Sequence, residues 1–575
     1  MEEIRRFLEA YRADILREAD ALAAQEMPEL TEELFGLYER TGNRLEYENV
    51  YFLRRKFLLV FGLKAWLESG QREETVRKLE EVLIRICRET CWALPAHVDR
   101  SRPGWEITVD LFASETAQAL AEIITVLGDA LEEAVRARVR EEVFRRVLDP
   151  FLESEIPYAW WEHCDLNWCA VCNGSIGSAA MYLMNDDPGR QKRCLERVSD
   201  SMKYFLSGFS DDGACMEGLS YFTYGMTYFT GFAAQLLEFT NGERDLFADA
   251  KVERIAEFQQ KCYFRSGKTL SFSDGSDNER FRMGLTCYLA MRCPGVRLPQ
   301  TALAGGLLQD NCYRWMGAFR DLIWTELYLK QCENSGGRRE VGETGQITLP
   351  DAQWVICENS LGIGMAAKGG HNDEPHNHND VGSFLYFCGE EQFLPDLGAG
   401  EYTKDYFHEG RYQIFCNNSF SHNVPVIGKR GQQEGREHCC TRFQTDGSGT
   451  IRMEIQNAYP AGTASRAERT LIFDPDSGRL TVEDEFDGAC GSVQENLISY
   501  CVPEVNEDGF VLRGKESICT IRVHGTGLRT EAVDHALHSG EHITVYRMVW
   551  EAGGITDGSG KTWFEIQAAR QKGEF

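Results

Sequence analysis

The sequence predicts a multidomain α+β chain, with a helical part over residues 1–334 and an antiparallel β-sandwich over 335–575. Three observations predict it. Before about residue 335, apolar residues recur at three- and four-residue steps, the period of an amphipathic helix. A Gly-rich polar stretch, "ENSGGRREVGETGQ", then reads as a linker. Beyond it the apolar period becomes two, punctuated by Gly and Asp turns.

In the first part, "NVYFLRRKFLLVFGLKAWLESG", "ETAQALAEIITVLGDALEEAVRARVREEVFRRVL" and "YGMTYFTGFAAQLLEF" each place an apolar stripe along a helix. Short breaks separate them, as in stacked helical hairpins, although no strict sequence repeat exists. In the second part, "GSFLYFCGEEQFLPDLG" reads as two strands around a turn. "RTLIFDPDSGRLTVEDEFDG" and "SICTIRVHGTGLRTEAV" alternate in the same way, which suits a sandwich.

A chain of 575 residues, 43% hydrophobic and 26% charged, is globular and too long for one simple core. Its net charge of −29 argues against nucleic-acid binding and against an anionic membrane surface. An anionic ligand would need a focused set of cations or a metal. The charged, amphipathic first segment lacks the apolar core of a signal peptide, and no run of about 18 apolar residues occurs. The expectation is a cytoplasmic protein whose 20 cysteines stay reduced. Cys169 and Cys172 form a C-x-x-C without a second pair and fit small buried residues.

Six of the 12 histidines fall within 371–438. The densest stretch, "GGHNDEPHNHNDVGSF", places His376 and His378 two apart. If they enter a strand, both point to one face. Asp396 at the end of the next strand, and His422 in "SFSHNVPVIG", could return to the same edge. Two imidazoles and a carboxylate suit Zn²⁺ with an open fourth position; a polar turn with hydrogen-bonded histidines is the competing reading.

"HNHNDVGSF", "FLPDLGAGEYT" and "SHNVPVIG" together resemble the C-terminal domain of heparinase II/III-like polysaccharide lyases. In the helical part, "DGACMEGLSYFTYGMTYF" resembles the D-G…E-G-x-x-Y-x-x-Y-G segment of that family, and "DLNWCAVCNGSIGSAA" its Asn-containing helix start. The resemblance spans about residues 150–430. It implies an incomplete (α/α) toroid followed by an antiparallel β-sandwich. It also implies β-elimination: a base removes the C5 proton of a uronate, the 4-linked sugar leaves, and a C4–C5 unsaturated uronate remains. Such chemistry needs a neutralised carboxylate, a base and an acid.

Carried over by position, the resemblance makes Tyr224 the acid and, given a nearby cation to lower its pKa from about 10, the base. Tyr221, one turn earlier, is the second candidate; a core aromatic is the alternative for both. His376 becomes a second base or charge stabiliser. His378, Asp396 and His422 become ligands of a site-organising zinc. Asn167 becomes the neutraliser of the uronate carboxylate, with Asn173 as another candidate. Some relatives carry Asn-His where this chain has Asn167-Trp168, so His163, four residues before, is the remaining histidine for that role. Arg411 is placed as a carboxylate or sulfate contact, with a surface ion pair as the alternative. Glu217 and His371 join the substrate-binding candidates, although Glu217 and Asp212 also fit helix-start residues and His371 fits a rim position. The expected substrate is an anionic, glycosaminoglycan-derived oligosaccharide, with a homo-oligomer left open. A uronyl C5-epimerase on the same scaffold, or a non-catalytic glycan-binding protein, are the alternatives.

Overall fold

The computed structural model describes residues 1–335 and 345–571. Most of the stretch read as a linker lies outside the described residues. The chain forms two compact units. The helical unit holds Met1–Phe209, Tyr221–Gln260 and the helices from Arg280 onward. The β-rich unit holds the strands of the second half and two stretches from earlier in the chain, Ser210–Ser220 and Lys261–Glu279. A single cut near residue 335 therefore does not describe the packing.

The helical unit contains ten helices of ten or more residues among those described, from Glu2–Ala23 to Trp315–Ser335. Leu111–Leu127 is buried along almost its whole length. It carries Glu115 and Glu122 seven residues apart, hence on one face. Glu122 accepts hydrogen bonds from Trp315 Nε1 at 2.9 Å and Arg320 Nη1 at 2.6 Å, which makes its burial tolerable. Small residues set the close approaches between helices. A Cβ at Gly225 would come 2.7 Å from the Phe205 ring and 3.4 Å from Asn167 Cβ, so glycine there lets Leu219–Phe239 lie against the start of Asn167–Leu183. Cys169 and Cys172 lie buried in that second helix, where burial pushes both thiols well above their ordinary value. That environment disfavours thiolate chemistry. Among the described residues, no helix is long and apolar enough to cross a membrane.

In the β-rich unit the expected strands appear. Phe384–Cys388 pairs with Glu391–Leu394. Arg466–Phe473 pairs with Leu480–Asp487 in the register Arg466 to Asp487 and Phe473 to Leu480. Buried and more exposed residues alternate along both partners of the second pair. A five-stranded and a nine-stranded antiparallel sheet share one core, joining residues such as Met365 and Phe384 of the first to Leu471, Val482 and Phe564 of the second. A four-stranded sheet adds Gly525–Ala536 and His542–Ala552.

Candidate functional site

In the β-rich unit, residues 376–383 form a loop, not the strand that the two-residue spacing suggested. His376 has φ +57°, a left-handed backbone that a strand excludes. The two histidines still converge, on Asp274. Its buried carboxylate accepts hydrogen bonds from His376 Nδ1 at 2.6 Å, His378 Nε2 at 3.1 Å, Tyr402 Oη at 2.9 Å and Tyr406 Oη at 2.6 Å. Burial alone would push this carboxyl up, but the bonds from His376 and His378 outweigh it and hold it well below the usual range. The approach of the Asp274 loop depends on Gly398. With φ +66°, Gly398 lies against the carbonyl of Gly275, where a Cβ would collide at 2.1 Å. His376 Nε2 lies 3.8 Å from Glu217 Oε2, which brings that predicted substrate residue beside the histidine.

Beside Asp274 the predicted ligand set assembles with one addition. Ligand atoms of His378, Asp380, Asp396 and His422, all buried, lie within 4.8 Å of one another. His422 Nε2 donates to the Cys416 carbonyl at 2.9 Å and His378 Nε2 faces Asp274, so each ring turns its Nδ1 toward the Asp396 carboxylate, at 3.6 Å for His422 and 3.7 Å for His378. Those two Nδ1 atoms and Asp396 Oδ2 have no hydrogen-bond partner. Lys368 Nζ lies 2.7 Å from Asp380 Oδ1 and compensates one of the two negative charges. Buried polar atoms left bare and aimed at one point fit a divalent cation with nitrogen and oxygen ligands.

Arg411 is placed differently from the expectation. Its Nε and Nη2 donate to the Asn377 carbonyl at 3.1 and 2.9 Å, and Nη1 to the Tyr406 carbonyl at 3.0 Å. Nε and Nη2 hold the loop that carries the histidines, Nη2 also lies 3.9 Å from Asp274 Oδ2, and Nη1 holds the Lys404–Phe407 turn, so the fork is taken up by groups of the protein itself. His371 pairs through Nε2 with Glu374 at 3.1 Å. Burial pushes the Glu374 carboxyl up to about 7, opposed by Lys368 and Arg436. A carboxyl raised on folding contributes stability in its protonated form, and that contribution is lost as pH rises from about 4.3 through 7. The melting temperature of Glu374→Gln should therefore gain on the parent between pH 5 and pH 8, by the equivalent of up to about 3 kcal/mol. A constant gap between the two proteins would show that Glu374 ionises freely in the fold.

In the helical unit, Tyr224 Oη donates to Glu115 Oε1 at 2.6 Å. Arg314 Nε donates to the same oxygen at 3.0 Å, and its guanidinium lies 4.0 Å over the Tyr224 ring. Asp310 holds Arg314 at 2.9 Å. The expected cation is thus present, but burial outweighs its lowering of the phenol. Burial raises Tyr224 well above its ordinary value; Arg314 opposes this and Glu115 adds to it. Burial also raises the Glu115 carboxyl, against Arg314.

Asn167 is buried at the start of its helix, beside Gly225 and therefore beside the turn that carries Tyr224. Tyr221 is half-buried one turn before Tyr224 on the same helix. His163 stacks on Tyr204 at 4.4 Å. Asn173 is fully buried in its helix; its amide nitrogen donates to the Cys169 and Glu162 carbonyls, while its Oδ1 has no hydrogen-bond partner, so it is placed in the core and not at an open surface. Asp212 accepts from the Asp351 backbone at 2.8 Å, a structural use.

Sequence reasoning missed Asp274, Asp380, Glu115 and Arg314. Asp380 stood inside the quoted histidine stretch, and its acid type was the available signal. Asp274 and Glu115 carried no local signal, because their partners lie about a hundred residues away in sequence.

Residues 348–546 match the family model described as Heparinase II/III-like, C-terminal. The structure is similar to the crystal structure of heparinase III, at 12% identity and a TM-score of 0.61, covering 100% of this chain and 92% of that one. It is similar to heparan sulfate lyase HepC from Pedobacter heparinus, at 12% identity and a TM-score of 0.60, covering 99% and 89%. No curated protein is matched by sequence. At such identities the likeness is one of fold, and it agrees with the predicted order of a helical part followed by an antiparallel β part.

Proposed function

We propose that this chain, whose residues 348–546 carry a heparinase II/III-like C-terminal domain, is a polysaccharide lyase acting on uronate-containing glycans of the glycosaminoglycan class. It cleaves by β-elimination and leaves a C4–C5 unsaturated uronate. The observation that carries this reading is the Tyr224–Glu115 hydrogen bond of 2.6 Å under the Arg314 guanidinium. A phenol kept protonated by burial is an acid first. To act as base it must pass its own proton on, and Glu115, itself raised by burial, is there to take it. Tyr224 Oη accepts the C5 proton while its own moves to Glu115. The C4–O4 bond breaks, the electron pair from C5 closes the C4–C5 double bond, and Tyr224 protonates the leaving oxygen as Glu115 returns its proton. Asn167 supplies an amide to the uronate carboxylate.

His378, Asp396 and His422, with Asp380, are the residues that would hold a zinc ion. When bound, the ion supplies a fixed positive charge that ties the histidine loop to the loops carrying Asp396 and His422. No proton transfer is assigned to it.

The test is a panel of unsulfated and sulfated uronate oligosaccharides with metal-loaded protein, read by the ultraviolet absorbance of the conjugated product. Absorbance with any member supports the lyase reading; silence across the panel overturns it. Solvent deuterium entering C5 without cleavage would assign the scaffold to a C5-epimerase instead.

A further inference from the structure

The helical unit carries a line of aromatic rings that the elimination chemistry does not use. Trp160 is 59% exposed on the short turn Trp160–His163. Its ring lies 4.9 Å from that of Trp168, tilted by 45°. Trp168 is the second residue of the helix that begins at Asn167. Its indole meets the His97 ring edge-on at 4.9 Å, and His97 stacks on Phe112 at 6.2 Å. The Arg314 guanidinium then lies 5.8 Å from the Phe112 ring and 4.0 Å from the Tyr224 ring. The rings lead in succession from solvent to the tyrosine. They are held by the scaffold: Asp110 pairs with His97 Nδ1 at 2.7 Å and caps the helix Leu111–Leu127 through the Ala113 amide.

An indole left in water keeps apolar surface that folding could have buried. A rigid pair of tilted indoles offers flat apolar faces at small entropic cost. The complementary surface is the C–H face of a pyranose, whose hydroxyls and acidic groups lie around the ring edge and remain solvated. We propose that Trp160 and Trp168 form a stacking subsite for a sugar ring of the glycan, beyond the sugar whose bond is broken. The subsite reads the face of the ring and not its charge. It rests on the lyase reading only in taking Tyr224 as the reacting end.

The test is calorimetric binding of an unsulfated heparosan tetrasaccharide and a chondroitin tetrasaccharide to the Tyr224→Phe protein, which keeps bound ligand intact. Adding Trp160→Ala or Trp168→Ala should weaken binding about five- to tenfold each, and Trp160→Phe, which keeps a ring, should restore most of it. With Tyr224 present, KM should rise by a similar factor while kcat falls less. Trp160 is exposed, so its removal leaves the core intact. Turnover with an unchanged KM in Trp160→Ala overturns the subsite and leaves the lyase reading standing. Binding that Trp160→Ala weakens, in a protein without turnover, supports the subsite and overturns the lyase reading. Absence of binding to both tetrasaccharides overturns the subsite.

Discussion

Tyr224→Phe is expected to lower kcat by about a hundred- to ten-thousand-fold with KM little changed. The phenyl ring keeps its place under Arg314, so the pocket wall persists, while the phenol oxygen assigned to the C5 proton and the leaving group is removed. Glu115 would lose one donor but retain Arg314 at 3.0 Å, which limits the cost to the fold. Single-turnover absorbance with the best substrate of the panel measures the effect. Turnover within a few-fold of the parent would reject Tyr224 and move the assignment to Tyr221, one turn earlier. Glu115→Gln separates the two roles of the pair. It keeps a carbonyl to accept the Tyr224 hydrogen bond but cannot take a proton. If the relay operates, kcat falls at every pH; if Tyr224 acts without it, kcat is retained.

The second large effect concerns the buried cluster of the β-rich unit. Metal analysis of purified protein should find one divalent ion per chain, and a chelator should lower the melting temperature. Asp396→Ala should abolish ion retention and destabilise the protein by about 3–5 kcal/mol, because the remaining buried polar groups lose their counter-charge. The cost follows from the geometry: Asp396 Oδ2 and the Nδ1 atoms of His378 and His422 have no hydrogen-bond partner. Protein without a divalent ion, and with a melting temperature indifferent to chelator, would undo the ligand assignment and leave these atoms as a strained polar core.

The two variants probe different parts of the chain, and the sequence was not equally legible in both. In the β-rich unit the histidine stretch announced itself by density; of the four clustered side chains His378 was named from it and Asp396 and His422 from later segments, while Asp380, inside it, was not. The predicted geometry was nevertheless wrong in kind. His376 and His378 meet because a loop with a left-handed residue wraps around Asp274, and not because a strand presents alternate residues on one face. In the helical unit the tyrosine stood out only through its family-like surroundings. A tyrosine in an amphipathic helix is most often a core aromatic, and nothing in its neighbourhood names Glu115 or Arg314 as partners.

Arg411 and Asn173 show the opposite error. Residue type suggested ligands, since a guanidinium suits a carboxylate and an amide suits the same role. The Arg411 nitrogens and the Asn173 amide nitrogen donate to backbone carbonyls. Whether a donor faces solvent or a neighbouring carbonyl depends on how the loops pack, which residue type cannot reveal.

By itself the sequence determined the order of helices and strands, the helical or strand period of the quoted segments, and the segment where histidines gather. These follow from local periodicity, because backbone geometry ties side-chain direction to a period of 3.6 or 2. Only the tertiary structure decided which carboxylates matter. Asp274 joins the histidines from the stretch Lys261–Glu279, and Glu115 meets Tyr224 from a helix more than a hundred residues earlier. A buried carboxylate takes its meaning from the donors that chain packing brings within about 3 Å of it, and that packing is a property of the whole fold.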